Sequence, residues 1–290
     1  MAHTNESVSG VVRLAAVQME PRIGETARNV DACIDWMTRA AGEGAGLVAF
    51  PECTLTGYCF RDRDEAWDAA LERDGEAIRR LTQAAGALDV HVVVGYLERV
   101  GGRIANSASI LGPSGLVAHY RKTHLPYLGV DRWVDPGCEP FTVHEAAGLR
   151  VGLLICYDAS FPEATRALAL NGADLVLLPT NWPEEAVAKA DWLPNTRAYE
   201  NVIYFAAVNR VGVERGYAFH GKSRVCGPTG ETLAQGPADT EAMLLVDIDP
   251  VRARTKKIVR REGEYWVDRI GQRREDLYRM SVPVSEKRES

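Results

Sequence analysis

Short, mainly apolar runs recur along the chain at residues 11–18, 47–50, 90–96, 104–111, 116–120, 151–155, 173–178, 202–209, 223–226, 232–234 and 242–247. Runs of this length, rich in branched residues and bounded by Gly, Pro or Asn, read as buried strands. Two other segments carry a helical period. Residues 26–42 place Val30, Ile34, Met37 and Ala41 on one face and end at Gly42 and Gly44. A second helix opens at Asp74-Gly75-Glu76, with Ile78, Leu81, Ala85 and Leu88 on its apolar face. Residues 161–170 and 186–200 also read as helices, the latter interrupted near Pro194, while 54–70 looks irregular and 123–140 reads as a long loop.

Strands thus alternate with helices, and the turns Pro113-Ser114-Gly115 and Pro228-Thr229-Gly230 insert hairpins among them. This mixture predicts an α/β protein with mixed sheets covered by helices, not a purely parallel sheet. Residues 1–10 are polar and small and are expected to be disordered. Residues 11–250 are expected to form a single domain. Beyond Pro250 the alternation stops, and residues 251–290 keep only a few large anchors, Tyr265, Trp266, Leu277 and Tyr278. Such a tail is expected to cross to a partner subunit, which predicts a homodimer or a higher homo-oligomer.

Charge and cysteine usage narrow the partners. A net charge of −6 and a pI near 5.6 argue against nucleic acid or an anionic membrane as the main partner. The basic stretch 252–261 is followed at once by Glu262, Glu264 and Asp268, so it reads as a solvated or intersubunit segment. The first ten residues lack the apolar core of a signal peptide, and no apolar run approaches a membrane span. Cysteines at 33, 53, 59, 138, 156 and 226 show neither a CxxC pair nor Cys/His metal spacing. A cytoplasmic protein with reduced cysteines and no metal site is expected.

Three residues share one kind of setting. Glu52 follows the apolar run 47–50 in FPECTLTGY, Lys122 follows the run 116–120 in YRKTHLP, and Cys156 ends the run 151–155 in GLLICYDASFPE. A base, a cation and a thiol just past three strand ends converge on one point if the strands are neighbours, and sites of α/β sheets lie at such ends. Each residue alone has a plainer reading. Glu52 suits a helix cap or a salt bridge, Lys122 beside Arg121 suits a solvated basic pair, and Cys156 suits a structural core cysteine.

Taken together and in this order, the three strings resemble the nitrilase superfamily of carbon–nitrogen hydrolases. The likeness runs from AAVQM near the start to GKSRVCGPTGE at 221–231. It implies a four-layer αββα sandwich with two mixed sheets, and hydrolysis of a non-peptide C–N bond through a thioester. The family's glutamate, lysine and cysteine fall on Glu52, Lys122 and Cys156. The chemistry suits those side chains. A thiol with a pKa of about 8.5 is mostly protonated at neutral pH and needs a base or a cation nearby. Glu52 suits proton transfer, Lys122 suits stabilisation of an oxyanion, and the Tyr157 N–H is the expected second donor. Neither a metal nor an organic cofactor is needed.

In one respect the chain departs from the family pattern. Many relatives carry a second glutamate in the loop after the lysine, but residues 125–137 contain none. Asp131 is the nearest acid, whereas counting back from Pro136-Gly137 puts Val130 at the expected place. Asp131 either substitutes with a one-residue shift or makes a structural ion pair. As a loop carboxylate it is expected to contribute little to folding.

Cys-Tyr-Asp followed by Phe-Pro-Glu is closer to the amidase and carbamoylase branches than to the true nitrilases. Tyr58, Trp133, Asn181 and Trp182 are candidates for the pocket wall, with packing between loops as their plainer role. Arg197 is expected to pair with Glu200 and not with a substrate carboxylate. A small amide releasing ammonia is therefore the first reading of the substrate. An N-carbamoyl amine or amino acid comes second, a nitrile third, and a non-catalytic small-amide binder is the alternative outside enzymes.

Overall fold

The computed structural model describes residues 10–281, so most of the segment 1–10 expected to be disordered lies outside the described residues. The chain divides into two compact units that meet between Arg254 and Thr255. The first unit opens with β1 (Val12–Gln18), α1 (Thr26–Gly42), β2 (Leu47–Ala49), α2 (Arg63–Ala69) and α3 (Glu76–Leu88). Strands β3 (His91–Val100), β4 (Arg103–Gly112), β5 (Gly115–Arg121), β6 (Val143–Ala146) and β7 (Leu149–Leu153) follow. Next come α4 (Pro162–Leu170), β8 (Leu175–Thr180), α5 (Val187–Asn201), β9 (Tyr204–Asn209), β10 (Val211–Glu214) and β11 (Tyr217–His220). The unit closes with β12 (Arg224–Cys226), β13 (Thr232–Gln235), β14 (Ala242–Ile248) and α6 (Pro250–Arg254).

Two mixed six-stranded sheets result, ordered β14-β1-β2-β3-β4-β5 and β13-β12-β9-β8-β7-β6. In each, the central strands pair in parallel, β1–β2–β3 in one and β7–β8–β9 in the other, and the hairpins add antiparallel edges. The period of two along β1 assigns its faces. Leu14 and Ala16 join the core shared by both sheets, whereas Ala15 and Val17 pack with Val30, Cys33 and Met37 of α1 and Ile78 and Leu81 of α3. On the second sheet, Leu168 of α4 lies against Gly152 of β7, where an added Cβ would come within 2.9 Å of it, and α5 packs on β9 and β12. Helices, sheet, sheet and helices therefore stack as four layers. This is the αββα architecture that the resemblance implies.

Most elements lie within two residues of their expected places, and the exceptions have physical causes. α2 falls in the segment read as irregular; Asp62 caps it by accepting the Glu65 N–H at 2.9 Å. α5 runs through Pro194 without a break, against expectation. Its Asn195 and Arg197 side chains bond Gly230 and Ala159 carbonyls, so tertiary contacts hold the helix across the missing donor. The hairpin β10–β11 and the edge strand β6 are short and polar and carry little periodic signal.

The second unit is not the unpatterned tail expected. It contains a hairpin of β15 (Lys257–Arg261) and β16 (Tyr265–Asp268), followed by α7 (Glu275–Ser281). The Lys257 ammonium lies 4.5 Å from the Trp266 ring centroid across that hairpin. The unit boundary falls four residues beyond the expected one, because α6 packs Pro250 and Ala253 into the first unit.

Candidate active site

Glu52 leaves β2 in a tight turn that crosses β3 at Gly95. A Cβ on Gly95 would lie 2.6 Å from Cys53 N and 3.0 Å from Glu52 Cα, so glycine is what lets the turn sit against the strand. Lys122 follows β5, and its N–H bonds the Asn106 carbonyl of β4 at 2.8 Å. The Lys122 ammonium donates to Glu52 Oε1 at 2.7 Å and to Asp131 Oδ2 at 2.5 Å. All three side chains are buried. The loop thus brings Asp131, not Val130, to the lysine. Gly129, with φ +53°, opens a 3-10 turn there, and a Cβ on it would strike the Tyr58 ring at 2.2 Å. The Tyr58 hydroxyl in turn donates to Asp131 Oδ2 at 2.6 Å.

Asn106 completes the cluster. Its Nδ2 donates to Glu52 Oε1 at 2.7 Å and to Asp131 Oδ1 at 3.0 Å, which lets two carboxylates share one buried space. The residue escaped the sequence reading. An asparagine inside an otherwise buried strand is costly unless its amide is satisfied, and that was the available signal.

Cys156 belongs to the second sheet. It stands beyond β7 as the first residue of a 3-10 turn (Cys156–Ser160), with φ +46°. Left-handed backbone in a non-glycine residue is strained and needs support. Asp158 supplies it from a buried position, accepting the Ile155 N–H at 3.0 Å and the Tyr120 hydroxyl at 2.8 Å. It also accepts the His124 N–H at 2.9 Å, and the His124 ring lies 2.8 Å away. Arg197 braces the turn from α5 by donating to the Ala159 carbonyl at 2.8 Å, and it pairs with Glu200 at 2.8 Å. In the first turn of such a helix the Tyr157 N–H has no intrahelical acceptor.

Burial pushes the Cys156 thiol up to about 12, and the Glu52 charge adds to the rise; Lys122, Thr180 and the Asn181 N–H oppose it. Burial also raises Glu52 above its ordinary value, against the pull of Lys122 and with a further push from Asp131. For Lys122, burial alone would lower the pKa, but Asp131 and Glu52 outweigh it and hold the ammonium well above the usual lysine range. At neutral pH the proton therefore rests on sulfur and the lysine is charged.

A cavity of about 200 Å³ opens at the sulfur, lined by Tyr58, Leu128, Cys156, Tyr157, Asn181 and Trp182, with Glu185 and Lys189 also on its wall. Trp133 is not among its lining residues; its indole N–H donates to the Phe60 carbonyl at 3.3 Å. The Asn181 Nδ2 donates to the Glu52 carbonyl at 3.0 Å, which ties the second sheet to the first. Glu52 Oε2 and the cavity-lining Asn181 Oδ1 and Trp182 Nε1 are among the buried polar atoms without a hydrogen-bond partner among the described residues. Among the described residues no group of His, Cys, Asp and Glu is placed to hold a metal ion, and no helix is long and apolar enough to cross a membrane.

A two-sheet sandwich with a cysteine at a strained turn beside a buried glutamate and lysine defines a class of cysteine-dependent hydrolases. The sequence relationships agree: the carbon-nitrogen hydrolase family pattern matches residues 13–257, and the chain belongs to that family, within the nitrilase superfamily. It is 36% identical over 249 residues to a nitrilase of Pyrococcus abyssi, covering 86% of this chain and 94% of the relative. It is 34% identical over 261 residues to an (R)-stereoselective amidase of Pseudomonas sp., covering 89% and 91%. Among solved structures, an amidase from Nesterenkonia sp. superposes with a TM-score of 0.81 at 29% identity, over 93% of this chain and 96% of that one. A variant of the Nesterenkonia sp. AN1 amidase carries the acetamide moiety of fluoroacetamide covalently on its active-site cysteine (TM-score 0.78, 27% identity, 93% and 97% covered).

Proposed function

We propose that the protein hydrolyses small primary amides, releasing ammonia through a thioester on Cys156. The observation that carries this reading is the presence of unmet buried acceptors at the site, Glu52 Oε2 and Asn181 Oδ1 among them. A primary amide brings N–H donors that such acceptors can meet, whereas a nitrile brings none and leaves them unpaired. The ureido group of an N-carbamoyl compound ends in the same CO–NH2 and fits the same acceptors, with an extra N–H to accommodate. Amide binding in relatives supports the reading; another variant of the Nesterenkonia amidase has been solved in complex with butyramide.

The steps follow from the residues. As sulfur attacks the carbonyl carbon, the thiol proton passes to Glu52 Oε2, and the oxyanion is held by the Lys122 ammonium and the Tyr157 N–H. Asp131, Tyr58 and Asn106 keep that ammonium and the glutamate in place. Collapse of the intermediate breaks the C–N bond, and protonated Glu52 gives its proton to the departing nitrogen, so ammonia leaves. Glu52 then takes a proton from water, the resulting nucleophile attacks the thioester, and the carboxylic acid leaves as the proton returns to sulfur. Ammonia release is measured with amides, ureido acids and nitriles of equal chain length. Amides turning over fastest is the expected result; a nitrile as the best substrate would overturn the reading.

A further inference from the structure

The face of the first sheet that turns away from the second carries an ionic cluster outside the cavity lining. Strands β3, β4 and β5 lie side by side there, and Glu98 of β3 is buried among them. Ser107 Oγ of β4 donates to its Oε2 at 2.9 Å, and the Arg121 guanidinium of β5 forks across both oxygens at 2.8 and 3.1 Å. The His119 ring of β5 lies 2.9 Å from the same Oε2 and 3.1 Å from Ser109 Oγ. Glu139 pairs with Arg121 from the other side at 2.7 Å. Side chains alternate along a strand, so Asn106 and Lys122, the neighbours of Ser107 and Arg121, fall on the opposite face. There they meet Glu52 and Asp131.

A buried ion pair is weak evidence of stability, and its best-attested use is to fix register. Register needs fixing here. β5 is the edge strand of its sheet, bonded to β4, and the β4–β5 pairing shifts between Ile110 and Leu111. A one-residue slip of β5 would turn Arg121 inward and Lys122 outward, away from Glu52 and Asp131. The lysine's own backbone does not prevent this. Its N–H donates to the Asn106 carbonyl and its carbonyl accepts from Gly137, both at 2.8 Å, and a slipped strand could remake such bonds one residue along. We propose that Glu98 pins β5 in register through Arg121 and His119, and so acts as a positioning residue for the Lys122 ammonium. The carboxylate joins three strands at once, so a slip breaks the Arg121 fork and the His119 contact together. For the reaction that Lys122 serves, this inference rests on the amide-hydrolase reading.

The test uses the full chain and butyramide, with Glu98→Gln and with Arg121→Lys, which keeps the charge but loses the fork. Asp174→Asn serves as the control for lost stability, since Asp174 is buried and pairs with Arg254 at 2.7 Å and Arg150 at 3.3 Å. Rates are taken at a temperature where circular dichroism shows every variant folded. In Glu98→Gln, kcat is expected to fall about tenfold with KM within about twofold, because Lys122 meets charge that develops in the transition state. Arg121→Lys should fall between Glu98→Gln and the wild type, and Asp174→Asn should lower Tm without lowering kcat. A second readout needs no turnover: the rate at which iodoacetamide alkylates Cys156, followed by mass spectrometry. Lys122 favours the thiolate, so a displaced ammonium should slow that alkylation severalfold in Glu98→Gln. Wild-type kcat and alkylation in both variants, or losses that Asp174→Asn matches, would overturn the inference and leave the amidase reading standing. Slower alkylation in Glu98→Gln, beside a wild type that releases ammonia from no amide, would sink the amidase reading and keep the pin.

Discussion

Replacing Asp131 by asparagine removes a charge from the buried cluster while keeping its shape. Asp131 Oδ2 accepts from the Lys122 ammonium at 2.5 Å and from the Tyr58 hydroxyl at 2.6 Å, and Oδ1 accepts from Asn106 at 3.0 Å. An amide has one acceptor oxygen. If it faces Lys122 and Tyr58, its NH2 opposes the Asn106 NH2; if it faces Asn106, its NH2 opposes an ammonium and a hydroxyl. Either way a buried donor loses its acceptor, at a cost of about 1–3 kcal/mol, and the lysine loses a charge-assisted hydrogen bond worth about 1.5–3 kcal/mol. A loss of that size in the transition state lowers kcat/KM about tenfold to a hundredfold. Because the carboxylate is buried, Tm should fall as well, which revises the sequence-based expectation of a loop acid that matters little to folding.

A pH profile separates the catalytic loss from the structural one. Asp131 pushes the Glu52 pKa up, so without its charge Glu52 ionises at lower pH. A base is lost as pH falls through its pKa, so the acid limb of kcat/KM should move to lower pH in Asp131→Asn. Stopped-flow acylation rates across pH, with circular dichroism to confirm folding, provide the measurement. A wild-type acylation rate and an unmoved acid limb, alongside a lowered Tm, would show Asp131 to be structural only and leave the lysine's partner in catalysis unassigned.

Cys156→Ala should abolish ammonia release while circular dichroism stays that of the wild type, and mass spectrometry of a slow turnover should find the acyl adduct on Cys156. An adduct on Cys53, which is buried beside Glu52 and bonded to Asn106, would mean a wrong nucleophile. Glu98 is held at about 2 because, despite burial, His119, Arg121 and Ser107 donate to it. Its stabilisation is present above the unfolded carboxylate value and fades as pH falls toward 2. Glu98→Gln should therefore lower Tm by several degrees at neutral pH, with the gap to wild type closing in acid; a constant gap would refute the ion-pair account. The full chain should scatter light as a dimer or larger, and truncation after Arg254 should reduce that mass, since Tyr265, Trp266, Leu277 and Tyr278 are exposed in the second unit. A monodisperse full-length monomer would contradict this.

The fold was legible where burial imposes a period. α1 lies within its expected bounds because Val30, Met37 and their neighbours repeat at helical spacing over seventeen residues. α2 was hidden because only one of its residues, Ala66, is buried, and its start depends on a cap, not on a stripe. Glu52, Lys122 and Cys156 stood out because strand ends are recognisable and their flanking strings are distinctive. Asn106 and Asp158 did not, because what they do depends on which strands become neighbours. Asp158 joins residues 34 and 38 positions away. No local pattern of polar and apolar residues encodes such pairings.

Glu52 and Lys122 belong to one sheet and Cys156 to the other, and under the proposed mechanism this has a consequence for the chain before it is fully folded. A molecule with only the first sheet formed has a glutamate and a lysine with nothing to activate. With only the second, it has an ordinary thiol whose proton has nowhere to go. The proposed chemistry then needs the closed sandwich, whose halves Asn181 and Asp158 bridge. During synthesis, and whenever the sheets are apart, the cysteine then lacks the carboxylate and the ammonium that hydrolysis would need beside it. Closure of the core is what assembles the chemistry.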